Sequence, residues 1–167
     1  MPLAPVATIV LTTERVYVGT PDTASVSAYG LTGQLEASVP VRALRRRATD
    51  EQYEAAIEAF LDAYATPDWR TSMRQQLGEL VQKPEWLPYY GPLFADSLGR
   101  VWAQTSFPGD SVTTLGAVGE HASRAAEIVV PRAMTVFEIG TDYVLGTYAA
   151  PDGNPHVALY TFRPSGP

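Results

Sequence analysis

An internal repeat constrains this chain more than any single motif does. Arg15-Val16-Tyr17-Val18-Gly19-Thr20 aligns with Arg100-Val101-Trp102-Ala103-Gln104-Thr105 at an offset of 85 residues. Ser25-Val26-x-x-x-Gly30-x-x-Gly33 aligns with Ser111-Val112-x-x-x-Gly116-x-x-Gly119 at an offset of 86. A fainter third copy, Tyr143-Val144-Leu145-Gly146-Thr147 and then His156-Val157-Ala158-Leu159-Tyr160, follows the second by 42 to 45 residues. The unit is therefore about 42 residues long, and 85 is about two of them. In such an architecture one unit cannot bury its own hydrophobic face, so it must stack on its neighbours.

Within each copy the sequence reads as short strands separated by turns. The first predicts strands near 7–12, 15–20, 25–30 and 35–41, each rich in β-branched or aromatic residues. Thr13-Glu14 is a tight hairpin connection, Pro21-Asp22 starts a turn, and Gly30 to Gly33 is a turn requiring a positive φ. The second predicts strands near 92–97, 100–107, 111–116 and 124–131, with Asp96-Ser97-Leu98-Gly99 as its first turn. The third predicts strands near 134–139, 143–149 and 156–162, with Asp152-Gly153 in the last loop and no fourth strand. Four short antiparallel strands repeated at this period mark β-propeller blades.

A different pattern separates the first two copies. Thr49-Asp50-Glu51-Gln52 is a capping box. Tyr53, Ala56, Ile57, Phe60, Leu61 and Tyr64 then recur on one helical face. Thr66-Pro67 starts a second helix, with Trp69, Met73, Leu77, Leu80 and Val81 as its apolar stripe. Helices over 50–65 and 67–81 would form a hairpin. This stretch concentrates acid, with seven Asp and Glu against two Arg between residues 50 and 82. The expected fold class is thus mainly β: about three four-stranded antiparallel sheets, the last incomplete, with an inserted helical hairpin. Along the chain this gives a blade at 7–41, the helical insert at 49–82, a blade at 92–131 and a partial blade at 133–163.

Composition narrows the function. The chain has 167 residues, a formal charge of −6 and no cysteine. Acidity argues against nucleic acid as a partner. The absence of cysteine excludes disulfides, thiolate-bound zinc and thiol catalysis. No run reaches the roughly 18 apolar residues of a membrane-spanning helix, and the first residues do not read as a signal peptide.

Leu93-Phe94-Ala95-Asp96-Ser97-Leu98-Gly99-Arg100-Val101-Trp102 resembles the blade pattern of bacterial six-bladed β-propellers of the NHL/TolB-like kind. Ile139-Gly140-Thr141-Asp142-Tyr143-Val144-Leu145-Gly146-Thr147 with Val157-Ala158-Leu159-Tyr160 resembles their closing blade. The resemblance covers the strand segments and not the helical insert. It implies the C-terminal half of such a propeller, and an extracytoplasmic bacterial setting. Some members are lactonases with an axial divalent metal, calcium for example, but their channel acids and Asn are not recognisable here, where Asn154 is the only Asn. Six blades need about 250 residues at the usual blade length. Either two chains therefore pair, three blades with three, as a homodimer, or the chain is part of a longer propeller. A compact monomer using the hairpin as a cover is a third arrangement.

Few residues carry a chemical signal. No Gly-x-Ser-x-Gly elbow or phosphate loop is present, so no catalytic residue is assigned. His121 and His156 are too far apart in sequence for a zinc pair. Asp96 and Asp142 occupy equivalent turns, where Asp serves its own backbone; they are weak metal candidates. Arg42, Arg45, Arg46 and Arg47 form the only basic run, expected to be solvated with some pairing to Asp50, Glu51 and Glu54. Trp86, Leu87, Tyr89 and Tyr90 form an aromatic connector expected to pack the hairpin against a sheet edge. The candidate binding residues are Arg45, Arg46, Arg47, Trp86, Tyr89 and Tyr90. The expected function is a non-enzymatic binding or scaffold module without a cofactor; the alternative is a lactonase-like hydrolase with an axial calcium.

Overall fold

A computed structural model describes residues 3–119, 127–132, 134–149 and 154–161. Its strands form three antiparallel sheets, each wound in simple sequence order. The first contains β1 (Thr8–Leu11), β2 (Arg15–Gly19), β3 (Ser25–Gly30) and β4 (Leu35–Pro40). The second contains β5 (Leu93–Ala95), β6 (Val101–Gln104), β7 (Val112–Ala117) and β8 (Glu127–Pro131). The third contains β9 (Met134–Ile139), β10 (Tyr143–Ala149) and β11 (Pro155–Thr161). Between the first two sheets lie helices α1 (Asp50–Tyr64) and α2 (Pro67–Leu80). The mainly β fold with a helical hairpin agrees with the sequence pattern. His121 and the Asp152-Gly153 turn lie outside the described residues.

Local chemistry explains the turns. Thr12 closes the first hairpin twice, its amide and hydroxyl both donating to the Arg15 carbonyl at 2.9 and 3.2 Å. Gly33 adopts φ +83° and Gly99 φ +75°, conformations that carry little cost only without a Cβ. Asp96 does more than shape its turn. Its side chain is fully buried. Oδ1 accepts the amides of Leu98 and Arg100, both at 2.9 Å, and Oδ2 accepts Arg100 Nε at 2.5 Å and Trp102 Nε1 at 3.0 Å. The carboxylate therefore fixes the turn and orients the large indole into the core.

The strand alternation divides the apolar residues between two cores. Val26, Val41, Tyr90, Leu93, Val101, Ala103 and Val118 bury one core where the first sheet meets the second, with Val10, Tyr17 and Val39 packed against it. Trp102, Leu115, Ala117, Ile128 and Val130 meet Met134, Ile139 and Val144 in the other core, between the second sheet and the third. The second sheet is thus buried on both faces: Val101 and Ala103 serve one core while Trp102, between them, serves the other. β1 lies beside β5, and β5 beside β9, so the opening strands of successive sheets are neighbours. The amide of Ser97 donates to the Ile139 carbonyl at 3.1 Å, joining the Asp96 turn to the third sheet.

The outer faces of the end sheets have no such cover. Ile9 (68% exposed) and Leu11 (63%) point away from the first core, opposite Val18 and Val16. On the third sheet Val157 (76%) and Leu159 (58%) do the same, opposite Thr147 and Leu145.

The helices start as the sequence predicts, with both hydrogen bonds of the capping box formed at Thr49 and Gln52. The expected apolar stripe of α2 is only partly used, however. Trp69 and Leu80 are exposed, Met73 and Leu77 half-buried, and only Val81, just past the helix, is buried. Ion pairs hold α2 to α1 instead. Arg70 reaches Glu58 at 2.5 Å and Asp62 at 2.7 Å, and Arg74 pairs with Glu54 at 2.6 Å and with Glu58. Three of the seven acids in this segment, Glu54, Glu58 and Asp62, are the partners of its two arginines, and exposed pairs of this kind contribute about 0–1 kcal/mol each.

Replacing Asp96 by Ala strands the Trp102 indole N–H and leaves Arg100 without its buried partner. A loss of about 3 kcal/mol is expected in chemical denaturation, together with a red-shifted Trp102 emission as water reaches the ring.

Candidate functional site

The basic run and the aromatic connector, 40 residues apart, lie side by side. The amide of Ala48 donates to the Glu85 carbonyl at 3.1 Å and the amide of Leu87 to the Arg46 carbonyl at 2.9 Å. This short antiparallel ladder, centred on the Arg47–Trp86 pair, draws the two segments together. Further on, the Tyr89 amide donates to the Pro21 carbonyl at 2.7 Å. Leu87 is buried beneath the ladder.

Each arginine of the run has a different role. Arg45 lies over two rings, 4.9 Å from the Trp86 centroid and 5.9 Å from that of Tyr89. Arg47 lies 5.1 Å from the Trp86 centroid and pairs with Glu85 at 3.5 Å. Arg46, still exposed, reaches to the 105–111 loop and grips Asp110 with both terminal nitrogens, at 2.7 and 3.3 Å. Arg42 is exposed, and neither Arg42 nor Arg45 makes an ion pair among the described residues. The pairing expected with Asp50, Glu51 and Glu54 does not form. Asp50 is taken by Lys83 at 2.6 Å and Glu54 by Arg74, because the helix runs away from the basic segment while the 105–111 loop turns toward it.

Asp110 was not singled out by sequence reasoning, yet it is the hub that joins loop, helix and basic run. It accepts the Phe107 amide at 2.8 Å and Gln52 Nε2 at 3.0 Å as well as Arg46. The only local signal is an Asp three residues after Phe107 in a Pro-Gly turn; its main partner is 64 residues away. Burial pushes the Asp110 carboxyl up, but hydrogen bonds from Arg46, the Phe107 amide and Gln52 outweigh that and hold it below the usual carboxylate range. Gly109, at φ +95°, lets the loop pass against Gln52, where a Cβ would come within 2.9 Å of the Gln52 side chain.

Tyr90, grouped by the sequence with the binding residues, is fully buried. Its hydroxyl donates to the Ser25 carbonyl at 2.9 Å, and its ring edge lies where a Cβ on Gly19 would stand. Burial foremost, with the nearby Asp22 charge, pushes its pKa up to about 12. Tyr90 therefore acts in the core, while Trp86 and Tyr89 remain half-buried.

Beside the arginines opens a cleft of about 800 Å³ whose lining includes Arg42, Leu44, Arg46, Tyr89, Ser106 and Glu127. A second cavity, of about 500 Å³ and largely apolar, lies between the N-terminal segment, α1 and the 105–111 loop. Among the other candidates, Asp96 spends both carboxylate oxygens on its own turn and on Trp102, as described above. Asp142 is exposed and accepts from the Thr141 hydroxyl at 3.3 Å. His156 stacks on Tyr148 at 5.6 Å. Among the described residues no group of three or more His, Cys, Asp or Glu gathers to hold a metal, and no helix is long and apolar enough to cross a membrane. Comparison with family models, curated proteins and solved structures yields no match for this chain.

Asp110→Asn is expected to lower stability by about 2 kcal/mol near neutral pH, because Arg46 loses its charged acceptor. The native pKa of Asp110 lies below the unfolded value of about 3.9. Its contribution is complete above the unfolded value and is lost as pH falls through the native one. Urea melts between pH 7 and pH 2.5 should therefore show a wild-type excess over Asp110→Asn that shrinks in acid.

Proposed function

We propose that this chain is a non-enzymatic binding or scaffold module built from β-propeller blades, and that two copies join, three sheets with three, in a six-bladed ring. Three features support the blade reading: the repeat of about 42 residues, the simple up-and-down order of each sheet, and the side-by-side placement of the opening strands β1, β5 and β9. In a propeller those strands would line the axis.

One observation carries the ring. The middle sheet is buried on both faces by its neighbours, whereas each end sheet buries one face and exposes an apolar one. Ile9 and Leu11 at one end, and Val157 and Leu159 at the other, are the kind of residues that neighbouring sheets bury. A twofold axis would set the first sheet of each copy on the third sheet of the other. The same contact would then form twice and close the assembly. The partner is thus a second copy, and the exposed cation–aromatic face at Arg45, Arg47, Trp86 and Tyr89 supplies the binding surface.

The mass in solution tests the ring. Light scattering is expected to give twice the 18.1 kDa of the chain. The double substitution Val157→Lys with Leu159→Lys should halve that mass while leaving the far-ultraviolet circular dichroism unchanged. A wild-type protein that stays monomeric at tens of micromolar would overturn the ring, and would leave the rest of a longer propeller as what covers the end faces.

A further inference from the structure

We infer that the segment from Arg42 to Arg46, with Trp86 and Tyr89 behind it, is a docking strip for an acidic peptide in extended conformation. The inference rests on the reading of the chain as a binding module and names the partner class; it does not depend on ring closure, since every residue involved lies within one chain.

Charge is the first argument. The chain is acidic overall, yet four arginines gather here. Asp110 neutralises Arg46 and Glu85 faces Arg47. Arg42 and Arg45 are left without a carboxylate partner among the described residues. Glu127 also lines the cleft, so the local excess is small. What selects an acidic ligand is therefore the two uncommitted guanidiniums rather than a broad positive field.

The second argument is preorganisation. Arg45 rests on the Trp86 and Tyr89 rings. A guanidinium held over aromatic rings can still present N–H groups to a carboxylate, which it matches with two parallel hydrogen bonds. Stacking also removes much of the side-chain disorder that binding would otherwise have to remove. Arg47, on the same Trp86 ring, holds the indole in place.

The backbone supplies the third argument, and it favours a peptide over a small anion. Past β4 the chain runs from Arg42 to Arg46 without joining a sheet. The segment is bridged at its ends, Val41 to Val118 and Arg47 to Trp86, and between them, among the described residues, the amides of Leu44 and Arg45 make no hydrogen bond. An extended ligand laid alongside could pair with them as an added strand. Leu44, with 87% of its surface exposed, would give that ligand an apolar contact between the two free arginines. The cleft of about 800 Å³ alongside leaves room for its side chains.

Fluorescence anisotropy of a labelled octaglutamate peptide at low ionic strength, on the full chain, tests the strip. Binding is expected for wild type, weakened about tenfold by Arg42→Ala and by Arg45→Ala, as for loss of one charge-assisted hydrogen-bonded pair. Arg45→Lys should also weaken it several-fold, since an ammonium keeps the charge but loses the bidentate edge. Arg132→Ala, an exposed arginine outside the strip, should bind as wild type does. The proposal is overturned if wild type does not bind, if the Arg42→Ala/Arg45→Ala double variant binds as wild type does, or if Arg132→Ala weakens binding equally. Light scattering on the same samples separates the two readings: a monomeric mass with the expected binding pattern removes the ring and leaves the strip, whereas a dimeric mass with no binding does the reverse.

Discussion

The structure depends on one constraint: a sheet of four strands, each three to six residues long in the first two sheets, has two faces and cannot bury either alone. Burial of a single large apolar side chain contributes roughly 1.5–3 kcal/mol, so a sheet gains most when both faces find a cover. Here only the second sheet has that. Its central strand β6 reads as a nearly continuous buried run, with Val101, Trp102 and Ala103 all inside, while its outer strand β8 alternates, Ile128 and Val130 in and Val129 out. The first and third sheets alternate, one face in and one out. The two cores, one on each side of β6, are the same solution used twice, and the exposed ends are where a third and fourth use would begin.

Polar groups then fix what packing alone would leave loose. Asp96 fastens a turn and an indole with one carboxylate, while Asp110 fastens a loop, a helix start and the basic segment with another. Both are charge-assisted, but only the Asp96 pair is deep enough for its loss to leave a poorly solvated charge, since Arg46 keeps 42% of its side chain in solvent. The hairpin is attached differently. Gln52 links its first turn to Asp110, and the Tyr53 hydroxyl donates to the Val81 carbonyl at 2.5 Å. α2 itself buries no residue among those described and leans on exposed ion pairs. Of the described elements it has the weakest hold on the rest, and local opening should start there.

Strands and helix starts were legible because their signals are local. The strands near 15–20 and 25–30, the turn glycines at Gly33 and Gly99, and the Thr49–Gln52 box each act within a few residues, and each stands in the structure near its expected bounds. Partners distant in sequence were not legible. Nothing near Arg46 announces Asp110, 64 residues on, and nothing near Asp96 states that its carboxylate would take the Trp102 indole rather than water. Tyr90 failed for a related reason: an aromatic connector residue reads the same whether it faces a ligand or fills the space that Gly19 leaves open. The stripe on α2 misled because a periodic apolar pattern shows which side could be buried, not whether anything lies there.

The association of end faces, first sheet on third, is the claim on which the functional reading most depends. The absence of cysteine makes it directly measurable. Leu11→Cys on β1 and Phe137→Cys on β9, both exposed and on the opening strands that neighbour one another from sheet to sheet, are made in separate chains, mixed at low micromolar concentration and oxidised gently. A six-bladed ring predicts a disulfide-linked product in the mixture and little in either variant alone, because Leu11 of one copy faces the third sheet of the other. Linkage of either variant with itself, or no linkage in the mixture, would contradict the ring.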